Sequence, residues 1–200
     1  MHQHRLGMYT DGILCIAATL LVLNFAVPVV PTSDNTDLMR RLVEQWPRAL
    51  AYILSFGVIT NYWRLHNAMF RAARVIDRRS TMLTVLLLLT AAFIPYATNV
   101  VGTYPTLPAA AVLYSVTLLI GNIVWKLLIQ HLIDSNAYQG ETPDATRLAS
   151  RHMTVAVYIR VIGFVLAFFL PIVSYATYWA VMIYYAFFSE LDLPGVERAG

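Results

Sequence analysis

Charge is scarce in this sequence. Only 12% of its 200 residues are Asp, Glu, Lys or Arg, about half the share of a soluble globular domain. Cysteine is nearly absent as well. Cys15 stands alone, which excludes an intramolecular disulfide and a cysteine-based metal cluster and leaves that residue a small packing side chain in an apolar run. No Walker loop, GxGxxG, HExxH or GxSxG occurs, so no phosphate cradle, metal-binding helix or nucleophile elbow of those kinds is built. Asp11 is the only carboxylate inside any long apolar run, and enzyme chemistry ordinarily needs several ionisable groups held in a cleft. The expectation is a chain that is not an enzyme, has no cofactor and holds no structural metal.

What is plentiful is hydrocarbon. Hydrophobic residues make up 58% of the chain and come in long unbroken runs, the pattern of an all-α integral membrane protein. A span needs about 20 apolar residues, and residues 8–30, 46–64, 81–101 and 107–129 each provide one. The first run is long enough to cross and no small-residue cleavage site follows it, so it reads as a retained helix, not a signal peptide. Trp46, Tyr62 and Trp63 are interfacial aromatics of the second. Pro95 is expected to bend the third, and Lys126 can snorkel from the end of the fourth. The stretch 153–188 would rise about 54 Å as one helix, well beyond a hydrocarbon core of about 30 Å. It must turn, and Pro171 is the natural corner, giving spans at 152–170 and 173–189. The reading is a single six-helix transmembrane domain over residues 1–200.

Basic residues orient it. With the N-terminus inside, internal segments hold Arg5, Arg64, Arg71, Arg74, Arg78, Arg79, Lys126, Arg147, Arg151 and Arg198, whereas external ones hold only Arg40, Arg41 and Arg48 beside Asp34, Asp37 and Glu44. Both termini are therefore expected in the cytoplasm, in a multi-pass cell-membrane protein, with a bacterial inner membrane as the setting. Arg160 lies within the fifth span. The basic segment "RLHNAMFRAARVIDRRS" suits anionic lipid headgroups and calls for no nucleic acid. The outer "NVVGTYP" has the wrong order for a carbonyl potassium filter and no re-entrant helix beside it. The five histidines scatter along the cytoplasmic side without forming a metal set.

The first helix has two characters. On a helical wheel Ile16, Leu20 and Leu23 fall within about 60° of one another, with Thr19 flanking them, while Asp11 points about 140° away from Ile16. Arg5 is turned about 120° from Asp11 and is no intrahelical partner. His66, at the inner end of the second span, is the expected one. The residues alone leave three readings open: a proton-linked permease or transporter relaying through Asp11 and His66, a non-conducting membrane scaffold whose ridge merely packs, and a channel.

The string "RLGMYTDGILCIAATLLVL" resembles the first-helix signature of the transmembrane protein 175 family of potassium channels, an arginine followed after three residues by Phe-Ser-Asp. Arg5 matches, and Tyr9, Thr10 and Asp11 stand for that triplet. Trp63, His66 and Phe70 of "WRLHNAMF" match the end of the family's second helix, and "RRSTMLTVLLLLTAAFIPY" resembles its third. Thr84 stands where the family usually has an asparagine, so the resemblance implies an altered polar network among arginine, aspartate and histidine at that point. The resemblance further implies a bacterial single-repeat form, a homotetramer in membrane lipids with first helices lining the pore and potassium as the permeant ion. Rings of Ile16, Leu20 and Leu23, with Thr19 as a polar layer, would replace a carbonyl filter. A potassium-permeable, leak-type channel is the leading expectation.

Overall fold

The computed structural model describes residues 2–30, 34–73, 76–135, 137 and 144–187. Among them the structure is entirely helical. The elements are α1 (His2–Leu20), continued by a 3-10 turn (Leu21–Asn24), α2 (Asn35–Val43), α3 (Trp46–Ala72), α4 (Arg78–Thr103), α5 (Pro108–Asp134), α6 (Asp144–Ala167) and α7 (Pro171–Phe187). By length and composition α1 with its 3-10 turn, α4 and α5 each suffice to cross a membrane. This is an all-α, multi-helix integral membrane fold. Arg74, Arg198 and the last two residues of the span at 173–189 lie outside the described residues.

Hydropathy marks where lipid lies but not where a helix stops. α1 begins at His2 and helical structure ends at Asn24, short of residue 30. Phe25 turns extended, and beyond it Pro28 fixes its own φ and disfavours helix at Val27. Val27 and Val29 are apolar yet exposed on this extended segment. The other ends run long. α3 continues through Arg64 to Ala72, and α6 starts at Asp144 rather than 152, because polar side chains of an interfacial helix turn lower the hydropathy without breaking the helix. α2 is an unforeseen element of the α1–α3 connection. Asp34 caps it, accepting from the Asp37 amide at 2.9 Å, and Asp37 pairs in turn with Arg40 and Arg41.

Successive helices α3 to α7 pack as neighbours, α7 closes back on α3 and α5, and α1 lies across α3 and α4. Hydroxyls lock the interior. Thr98 gives its proton to the Ile94 carbonyl at 2.7 Å, so its oxygen can only accept from Ser55 at 2.7 Å. Ser55 then accepts from Tyr114 at 2.8 Å. The directed chain Tyr114–Ser55–Thr98–Ile94 joins α5, α3 and α4, and inter-helix hydrogen bonds of this kind are what hold helices together where lipid competes for apolar contact. α4 runs unbroken through Pro95, whose missing N–H leaves the Ala91 carbonyl without its usual donor.

Two packing details can be tested. A Cβ on Gly121 would lie 2.3 Å from the Tyr62 hydroxyl, and that oxygen is buried without a hydrogen-bond partner. Gly121→Ala is expected to destabilise the fold by about 1–3 kcal/mol, with Tyr62→Phe restoring part of the loss; thermal unfolding of the single and double variants in detergent reads this directly. At the N-terminus of α4 Asp77 caps the helix, accepting from the Ser80 amide at 2.8 Å, and meets His131 Nε2 of α5 at 2.8 Å. The Ser80 side chain, then its amide, then His131 hold the Asp77 carboxyl at about 2, below its ordinary 3.8. A depressed carboxylate stabilises fully above its unfolded pKa and loses that contribution as pH falls through the folded one. Asp77→Asn keeps the cap but cannot titrate, so between about pH 4 and pH 2 its thermal midpoint should fall less than that of the wild type; superimposable acid profiles would contradict the assignment.

Candidate functional site

The heptad-like spacing of α1 buries one stripe and leaves another bare. Thr10, Leu14, Ala17, Leu21 and Asn24 are buried, and α1 packs on α3 and α4. The small side chain of Ala17 suits close helix approach. Turned by about 110° from that stripe are Ile16, Leu20 and Leu23, which are 60%, 43% and 72% exposed. Thr19 is exposed beside them. Only 22% of the most apolar 18 residues of the first helix are buried within the subunit, against 50% in α4 and 56% in α5.

Along the helix axis the ridge covers about 10 Å from Ile16 to Leu23. Its one polar member is specifically set. The Thr19 hydroxyl donates to the Ile16 carbonyl at 2.9 Å, which commits its proton and leaves oxygen lone pairs to face outward. An oxygen so arranged is an acceptor, suited to a cation rather than an anion.

His66 is not the hydrogen-bond partner of Asp11. The carboxylate is exposed at the margin of the α1–α3 contact, where Trp63 Nε1–H donates to Asp11 Oδ1 at 2.9 Å. The reason is axial level. Asp11 lies nine residues from the N-terminal end of α1 and Trp63 nine from the C-terminal end of α3, each about 14 Å along its helix. His66 sits one turn lower, 1% exposed, stacked on Phe70 with ring centroids 4.0 Å apart and 6.4 Å from Trp125. Neither of its ring nitrogens has a hydrogen-bond partner, so the direct Asp11–His66 bond that a relay would use is not formed.

The remaining motif residues stay close to their own helices. Thr10 is buried and donates to the Leu6 carbonyl at 2.9 Å. Thr84 is buried and donates to the Ser80 carbonyl at 2.9 Å, leaving no proton for histidine or aspartate. Tyr9 is exposed. Arg5 is exposed too, and it forms no salt bridge among the described residues. The structure thus joins Asp11 to Trp63, with His66 within electrostatic reach of the carboxylate but not hydrogen-bonded to it. Among the described residues no cluster of His, Cys, Asp and Glu could hold a metal ion. Sequence reasoning missed the Tyr114–Ser55–Thr98 chain and the burial of Arg160. Isolated polar residues in three apolar spans were its only trace.

Residues 5–95 match the family model described as endosomal/lysosomal potassium channel TMEM175. A potassium channel of Streptomyces collinus is 28% identical, covering 98% of this chain and 96% of its own length. A potassium channel of Chamaesiphon minutus is 29% identical, covering 70% of each. Among solved structures, a lysosomal potassium-selective channel TMEM175 homolog from Chamaesiphon minutus superposes with a TM-score of 0.82 at 25% identity, over 92% of this chain and 96% of that one.

The Asp11–Trp63 bond predicts a double-mutant cycle. Trp63→Phe should cost on the order of 1 kcal/mol, Asp11→Leu a similar amount, and the two together little more than either alone. Fully additive losses in thermal unfolding would show that the pair does not act as one.

Proposed function

From the match of both sequence and structure to the TMEM175 potassium-channel family in its bacterial single-repeat form, we propose that this chain is a potassium-permeable, leak-type cation channel whose first helix carries a hydrophobic constriction in place of a carbonyl filter. Membership of an ion-channel family supports a non-enzymatic role and a multi-pass inner-membrane location. The observation that carries the pore reading is the one-sided burial of α1, with its apolar ridge left uncovered by the rest of the subunit.

A single helix cannot enclose a conduit, but four copies around a symmetry axis can bring four ridges together. α1 and α3 to α7 would supply six spans with both termini in the cytoplasm, in keeping with the distribution of Lys and Arg. Rings of Ile16, Leu20 and Leu23 would then exclude water when narrow and pass a partly hydrated ion when wider. Potassium, the larger ion, gives up hydration more easily than sodium, and the outward lone pairs of Thr19 would compensate part of that loss. Modest discrimination follows, since no dense cage of carbonyl oxygens surrounds the ion. Trp63 and Asp11 act at the margin of the α1–α3 contact, where they set the rotation of the ridge.

Potassium flux into liposomes holding purified protein tests this. Wild type should pass potassium down its gradient without a coupling ion, and Ile16→Asn should raise the flux several-fold by wetting the constriction. Silence from both proteins in correctly folded, reconstituted form would contradict the reading.

A further inference from the structure

Arg160 of α6 is 4% exposed, a permanent cation held inside a helix bundle. Its contacts are few for a group with five N–H donors. One terminal nitrogen approaches the Leu118 carbonyl at 3.5 Å, a long contact, and the guanidinium lies 6.0 Å from the centroid of the Tyr178 ring. The Nε–H has no partner. Among the described residues no Asp or Glu forms a salt bridge with it. A buried charge without a counter-charge is strongly disfavoured, and inside a membrane such a residue marks a site.

Arg160 also lines a cavity of about 350 Å³ between α3, α6 and α7. Thr60, Asn61 and Arg64 contribute its other polar surface, and Ile53, Phe56 and Met182 much of its apolar wall. Among the described residues no carboxylate lines it. The α3 residues that line it, 53 to 64, extend over about 16 Å, and Ile53 and Phe56 are 49% and 43% exposed, so the apolar wall is left uncovered by the rest of the subunit. At Gly57 the absent Cβ, which would lie 2.6 Å from Met182 Sδ, allows α7 to close against α3 beside the cavity. This face belongs to α3, α6 and α7 and not to the ridge of α1.

We propose that this cavity binds an anionic amphiphile, with a carboxylate or phosphate headgroup on Arg160 and Arg64 and a hydrocarbon chain along Ile53, Phe56 and Met182. The buried guanidinium supplies the charge that a headgroup needs, Asn61 adds an amide donor, and the apolar wall accepts the chain. Bound there, the amphiphile ties α3 to α6 and α7 and neutralises a charge that the described residues leave uncompensated.

Delipidated protein in a neutral detergent provides the test, with thermal unfolding and native mass spectrometry as readouts and oleate, phosphatidylglycerol, phosphatidylcholine and inorganic phosphate as probes. At least one of oleate and phosphatidylglycerol should raise the unfolding midpoint by several degrees and remain bound in the gas phase, while phosphatidylcholine and inorganic phosphate leave it unchanged. A response to oleate alone identifies a fatty carboxylate, to phosphatidylglycerol alone a lipid phosphate, and to both a site for either anion. Arg160→Met should fold, since replacing an unpaired buried charge by an apolar side chain favours the folded state, but bind about tenfold more weakly or worse, as expected for loss of a charge-assisted contact. Ile53→Trp, which fills the open wall and leaves Arg160 in place, should weaken binding likewise and decides the matter if Arg160→Met fails to fold. Equal shifts with phosphatidylcholine or inorganic phosphate, no shift with either anionic amphiphile, or an undiminished response in these variants would overturn the proposal.

Discussion

Packing of α1 against α3 and α4 along Thr10, Leu14, Ala17, Leu21 and Asn24 fixes the rotation of the helix, and with it which side chains the subunit leaves bare. Helix periodicity does the rest. Once one stripe is buried, Ile16, Thr19, Leu20 and Leu23 must face away from it. The Asp11–Trp63 bond sits at the edge of this contact and resists rolling of one helix over the other. The ridge and the acid therefore share one constraint, applied on different sides of the same helix.

Part of the interior follows the rule that polar groups in lipid find partners within the protein, although the Tyr62 hydroxyl and the His66 ring nitrogens are buried without one among the described residues. Tyr114, Ser55 and Thr98 form a directed chain that ends on a backbone carbonyl. Thr10 and Thr84 return their protons to their own helices. Arg160 departs from the pattern, having a charge and donors beyond what its neighbours can accept. Satisfied hydroxyls hold the bundle together, and the guanidinium lines the cavity between α3, α6 and α7.

Much of the fold is legible in the sequence because membrane hydropathy is a strong signal and helix periodicity a simple one. A helical wheel alone groups Ile16, Leu20 and Leu23, and all three are exposed together in the folded subunit. Helix ends are less legible. Polar interfacial turns such as the end of α3 at Ala72 carry no apolar signature, and the valines after Pro28 carry one without being helical. The partner of Asp11 is hard to read for the same reason, and the expectation of His66 fails on it. Choosing between His66 and Trp63 requires the axial level of each, and level is counted from ends that composition does not mark. α2 is equally hidden, because its capping by Asp34 and its Asp37–Arg41 pairing suit an exposed polar loop just as well.

The central claim is that the bare side of α1 faces the permeation path and its buried side does not. Cysteine accessibility along that helix tests it most directly, in a Cys15→Ser background since the native thiol is itself exposed. Single cysteines at Ile16, Leu20 and Leu23 should allow a water-soluble, thiol-reactive cation to block potassium current, whereas cysteines at Leu14, Ala17 and Leu21 should leave the current intact. Block confined to the second set, or conducting channels in which the first set is never modified, would contradict the account.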